Sequence, residues 1–212
     1  MPLKFDVDAP QLAALLCSKV CHDVISPVGA LSMSLEMLDE PGSADDALDL
    51  VRKSTKSAVS TLQFCRLAFG ASGSTGASID TGDAEKVAVE HLADERTTLN
   101  WQVERMILPK NQVKLLLNLL LIAAAAIPRG GVIAVRSEGG QDAPGFTFHA
   151  AGKRVRVPVA FDEMVDGDIP EEGIDSQNVQ AYYTMLLAHE TGMPITVDLG
   201  DTDVTIKAGP PA

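Results

Sequence analysis

The sequence predicts an α+β chain in two halves. An N-terminal antiparallel helical hairpin would complete a four-helix bundle on dimerisation, and an α/β sandwich of roughly 130 residues would follow it. Three observations carry this. Apolar residues recur at steps of three and four along residues 16–38 and again along 48–69. A Gly/Ser-rich stretch, Gly70 to Ser78, then interrupts the pattern. Beyond it, short strand-like runs alternate with longer apolar segments. The expected divisions are a hairpin over 1–72, a linker over 73–80 and the α/β half over 81–212.

Asp8 followed by Pro10 reads as the start of the first helix, the acid as cap and the proline in the first turn. Its apolar stripe is Leu16, Val20, Val24, Val28, Leu31, Leu35 and Leu38, and Pro41-Gly42 ends it. Pro27 lies inside and is expected to bend it. Ser43-Ala44-Asp45-Asp46 reads as the next start, with an approximate capping box. The second stripe is Leu48, Val51, Thr55, Ala58, Leu62, Cys65 and Phe69, a seven-residue repeat. Two bare helices leave apolar surface in water, so a second copy is the natural cover. In the second half, strands are expected at Thr97–Val103, Val132–Arg136, Phe146–His149 and Val155–Val159. Helices are expected at Gln112–Ile127 and Val179–His189, and a closing hairpin at Ile195–Leu199 and Val204–Lys207.

Composition narrows the function. With 46% hydrophobic but only 4% aromatic residues, the core is aliphatic and favours helix packing. A formal charge of -12 argues against nucleic acid and anionic membranes, which need clustered Lys and Arg. The N-terminus lacks the basic head and apolar segment of a secretion signal, and the most apolar stretch, Leu115 to Ile127, is too short to span a bilayer. Cys17, Cys21 and Cys65 form no disulfide framework or CxxC metal spacing and read as small buried thiols of a cytoplasmic protein.

The chemistry concentrates in Cys21-His22-Asp23-Val24-Ile25-Ser26-Pro27. At 100° per residue, His22 falls about 160° from Val24 at the centre of the apolar stripe, so its imidazole should face solvent. Ser26 lies beside it, as do Lys19 and Gly29, where small side chains let another protein approach. Asp23 is placed to accept a ring N–H bond and set the tautomer. The other histidines, His91, His149 and His189, have no such neighbourhood.

This run resembles the phosphoacceptor box of bacterial sensor histidine kinases, which implies a phosphoryl group carried on His22. The second half resembles their ATP-binding domain with the functional residues replaced. In Asn118-Leu119-Leu120-Leu121-Ile122-Ala123-Ala124-Ala125, the magnesium-holding Asn is Ile122 and the Lys is Ala125. Neither offers the oxygen ligand a hard cation needs. The adenine-reading Asp is Ala150, and 171–178 lacks a glycine-rich lid. Leu12 to Cys17, Phe64 to Ser72 and Leu99 to Gln102 extend the similarity over nearly the whole chain, to the ChpT-type histidine phosphotransferases. The resemblance implies a homodimer without ATP or a cofactor of its own. Phosphate would pass from the receiver domain of a hybrid kinase to His22 and on to response-regulator receivers, whose acidic pockets supply Mg²⁺. It implies catalytic roles for His22 and Asp23 and a receiver-docking face of Lys19, Ser26, Gly29 and Met33. The rival readings are a non-catalytic scaffold that sequesters receivers and a divergent ATP-dependent kinase.

Overall fold

A computed structural model describes residues 4–71, 78–93 and 96–210. Helix α1 spans Ala9–Met37, and Asp8 caps it by accepting from the Gln11 amide at 2.8 Å. It runs on across Pro27 as one helix. Helix α2 spans Ala44–Ala68. The Ser43 side chain makes no cap bond, so the expected capping box is not formed; Asp45 and Asp46 in the first turn instead favour the positive helix end.

The two helices meet differently from the expected stripes. The buried face of α2 is small: Ala47, Ser54, Ala58, Thr61 and Cys65, with Phe64 and Ala68 at its end. Leu48 and Leu62 are close to half exposed, as are Val28 and Leu35 of α1, and in α1 only Ser34 is fully buried. Small residues let the backbones approach, and the larger aliphatic residues are left facing outward. By length and composition α1 is apolar enough to cross a bilayer. However, the ion-paired Lys19 and Asp23 stand near its middle, where charge is costly in hydrocarbon.

Strand β1, Ser78–Asp80, occupies the last three residues of the expected linker, and the rest of that linker, 73–77, lies outside the described residues. Helix α3, Thr81–His91, starts under the Asp80 cap. There follow β2 Thr97–Gln102, β3 Ile107–Pro109, α4 Lys110–Ala126, β4 Gly131–Glu138, β5 Gly145–Gly152, α5 Val159–Asp166, α6 Val179–Thr191, β6 Ile195–Leu199 and β7 Asp203–Ala208. The main sheet has the order β2-β4-β5-β7-β6, parallel between β2 and β4 and antiparallel elsewhere; β1 and β3 form a separate antiparallel pair. Alternate residues Ile133, Val135, Phe146, Phe148, Val204 and Ile206 are buried, and so is almost the whole length of α4. The strand expected at 155–159 is not one. Its alternation is real, but Pro158 heads α5, and the Arg156 amide donates to Ala126 at the end of α4 rather than to a neighbouring strand.

The helical hairpin and the α/β half share one core. Phe64 and Ala68 of α2 belong to the same buried cluster as Leu115, Leu119 and Phe148. The Asn118 amide donates to Ala68 O at 3.1 Å and Lys114 O at 2.9 Å, and Gln180 donates to Asn118 O at 3.0 Å. At the other end the Val7 amide donates to the Tyr182 hydroxyl, and Phe5 packs on Tyr182 and His189.

His91 closes this seam, stacked on Phe64 with ring centroids 4.4 Å apart and its Nδ1 buried without a hydrogen bond. Burial pushes its pKa below the ordinary 6.5; smaller contributions come from Asp23, which raises it, and Lys19, which lowers it. A histidine whose folded pKa is depressed binds its proton more readily when unfolded. Its contribution to stability is therefore complete above the unfolded value and is lost as pH falls through that value toward the folded one. We expect Tm to drop by a few degrees between about pH 7.5 and 5.5. A His91→Gln variant should show a flatter profile in thermal melts followed by circular dichroism. A variant profile as steep as the wild type would assign the acid sensitivity to other groups.

Candidate functional site

The middle turns of α1 present His22 to solvent, its side chain 88% exposed. Asp23, one residue on, turns toward α2 and is 28% exposed. Its Oδ2 accepts from Lys19 Nζ at 2.5 Å, a pair one helical turn apart. His22 Nδ1 lies 3.8 Å from Asp23 Oδ1, too far for the expected ring hydrogen bond. The lysine takes up the carboxylate instead. Lys19 is correspondingly not a free docking cation, its side chain being only 23% exposed.

Ser26, Gly29 and Met33 are all exposed and, with Lys19, fall within about 60° of His22 around the helix. A Cβ added at Gly29 meets nothing within 4 Å, so the surface there is open. Ser26 borders a shallow groove of ≈ 260 Å³ whose far wall is Lys53, Ser54 and Ser57 of α2.

A second cleft, ≈ 320 Å³, contains His22 itself. Its lining is Ser18, Lys19, His22 and Asp23 from α1 and Ser176 and Gln177 from the segment before α6. Sequence reasoning did not single out those last two residues. They lie more than 150 residues from His22 in a stretch without periodicity, and the only local signal is Asp175-Ser-Gln-Asn178, a turn composition.

The cysteines divide. Cys65 is buried, and burial, helped by the nearby Asp23 charge, pushes its thiol up to about 11. Cys17 and Cys21 are exposed, correcting the expectation that all three are buried. Cys17, one turn before it, raises the Cys21 pKa. Among the described residues no group of three or more His, Cys, Asp or Glu is placed to hold a metal ion.

The positions that resemble a nucleotide site have structural partners. Ile122 is 1% exposed and Ala150 is 0%, both packed into the core, and Ala150 pairs with Ile133 and Val204 in the sheet. Asn118, the polar residue of the 118–125 run, is fully buried and spends its amide on Ala68 and Lys114. Of the other histidines, His149 bonds Asp203 at 2.9 Å, and His189 packs on Phe5.

Residues 81–203 match the family described as the histidine phosphotransferase C-terminal domain. A curated relative, the protein phosphotransferase ChpT of Brucella abortus (strain 2308), is 50% identical over 208 residues, covering 98% of this chain and 100% of that one. A solved bacterial phosphotransferase structure superposes with a TM-score of 0.92 at 48% identity, over 97% of this chain and 99% of the other. The Acinetobacter baumannii histidine kinase AdeS aligns over 89% of this chain and 96% of its own at a TM-score of 0.48 and 9% identity. A family match over residues 81–203 and an identity of one half along the whole chain place this protein in the ChpT-type histidine phosphotransferase family.

Proposed function

We propose that the protein is a phosphorelay carrier: His22 takes a phosphoryl group from an aspartyl phosphate on one receiver domain and passes it to an aspartate on another. The observation that carries this reading is an imidazole 88% exposed on a helix, with a carboxylate 3.8 Å from Nδ1 and no partner on Nε2 among the described residues. In the first transfer the Nε2 lone pair attacks phosphorus and the bond to the donor aspartate breaks, releasing its carboxylate. The ring then carries positive charge, which Asp23 stabilises through space, while Lys19 holds the Asp23 carboxylate in place. In the second transfer the acceptor carboxylate attacks the same phosphorus and the P–N bond breaks, restoring neutral His22. Each receiver's acidic pocket supplies the Mg²⁺ that offsets charge on the transferring group.

Ser26, Gly29 and Met33 supply the docking face, which Lys19 borders. The protein works as a homodimer: Ile25, Val28 and Leu35 of α1 and Leu48 and Leu62 of α2 expose an apolar surface that a second copy would cover. The hairpin and the α/β half act as its two functional units. Three free cysteines fit a reducing cytoplasm. Ile122 and Ala150, both buried in the core, support transfer without ATP.

The test offers the protein two labelled donors in parallel, a phosphorylated receiver domain and ATP. Rapid label transfer from the receiver, with none from ATP, is expected. Label from ATP alone would favour the kinase reading. Receiver binding without any transfer would favour a scaffold.

A further inference from the structure

Resting on the reading that His22 carries phosphate, we propose that Ser176 and Gln177, together with Lys19, hold the phosphoryl group once it is on the histidine. A phosphoryl group on Nε2 brings up to two negative charges and three acceptor oxygens next to α1. The cleft beside the ring offers donors of the right kind: the hydroxyls of Ser18 and Ser176, the Gln177 amide and the Lys19 ammonium.

The segment carrying Ser176 and Gln177 is pinned. Asp175 Oδ1 accepts from the backbone amides of Gln177 at 2.8 Å and Asn178 at 3.0 Å, Asn178 Oδ1 accepts from the Asp175 amide at 2.9 Å, and Asn178 Nδ2 donates to Gly173 O at 3.0 Å. These bonds occupy the Asp175 and Asn178 side chains. The side chains of Ser176 and Gln177, by contrast, make no hydrogen bond among the described residues and face a cleft that contains the acceptor histidine. A backbone fixed before the ligand arrives leaves only the two side chains to be ordered on binding it. The charged groups around the phosphoryl would be Lys19 and Asp23 on α1 and Asp175 behind the turn. Lys19 has three donor hydrogens, one of them engaged by Asp23, so it can bridge the carboxylate and a phosphoryl oxygen.

This arrangement gives the degenerate half a chemical task. The segment stands where the family resemblance places a nucleotide lid, and here it closes on a phosphoryl group on the hairpin. Its role is positional, since P–N bond formation needs only His22 and the incoming phosphorus.

Phosphoramidate, a small phosphoryl donor, separates this from receiver docking. The full-length protein is phosphorylated with it and the phosphohistidine followed by ³¹P NMR against pH. Donors on the phosphoryl oxygens favour the dianion, so its titration midpoint should rise when they are removed, by about one pH unit for Ser176→Ala/Gln177→Ala. Gln177→Glu should raise it further than Gln177→Ala, because a carboxylate repels the dianion. The Tm of the unphosphorylated variants should stay at the wild-type value, which a general loosening of the fold would not produce. Identical midpoints in wild type and variants overturn the inference and leave His22 as acceptor. A wild type that takes phosphate neither from phosphoramidate nor from a receiver overturns the carrier reading, and this inference with it.

Discussion

A His22→Gln variant is expected to take up no label from a phosphorylated receiver. Glutamine keeps comparable length and polarity, but its amide nitrogen has no available lone pair to attack phosphorus. The substitution is structurally mild because the side chain is 88% exposed; stability should change by no more than about 0.5 kcal/mol. Receiver binding should also persist, since Ser26, Gly29 and Met33 are untouched. Measuring label transfer and receiver affinity on the same preparation separates the alternatives. Lost transfer with retained binding is the expected result, whereas retained transfer would move the acceptor to another residue. In a cell, loss of signalling with this variant marks a carrier, and undisturbed regulation marks a scaffold.

The second large effect is on the fold. Phe64→Ala should cost about 3–5 kcal/mol, the usual loss for truncating a fully buried aromatic ring. Phe64 is 1% exposed, stacks on His91 and joins α2 to the cluster built on α4 and the sheet. A loss of that size is a large part of the stability of a typical domain. Its consequence should appear in both halves at once. Trp101, the single tryptophan, lies in β2 and reports the α/β half, while far-ultraviolet circular dichroism is dominated by the helices. Urea unfolding followed by the two signals should give coincident transitions in wild type and variant, both shifted to lower urea in the variant. Separate transitions would show that the halves fold independently despite their shared core.

Periodic and local features were legible in the chain. The Asp8 cap, both helices of the hairpin, α4, α6 and the β6–β7 pair all follow from spacing and end signals acting over a few residues. The exposure of His22 followed from its angle to the apolar stripe. What failed did so for local reasons. Val155 to Val159 alternates like a strand, but alternation does not supply a pairing partner, and Pro158 starts a helix. Helix α3 and strands β1 and β3 are short and weakly patterned, and tertiary contacts decide them. The apolar stripe of α2 was legible as a pattern, but not which of its members pack within the hairpin: Ala58 and Cys65 are buried there, and Leu48 and Leu62 face outward.

At the site, the residue types along one helical turn carried the chemistry, because an acceptor box is written in consecutive residues. The hydrocarbon side chains at Ile122, Ala125 and Ala150, where the resemblance to histidine kinases expects nucleotide-binding residues, were legible for the same reason. The partners of those residues were a matter of three dimensions. That Lys19 rather than His22 takes the Asp23 carboxylate depends on competing rotamers on one helix face. The Asn118 bond to Ala68 and the Gln180 bond to Asn118 join residues 50 and 62 positions apart, and the Val7 bond to Tyr182 spans 175. The same long-range packing brings Ser176 and Gln177 to the histidine. Residue chemistry is a property of the chain, but which groups share a cleft is settled by the core that draws α2, α4 and α6 together.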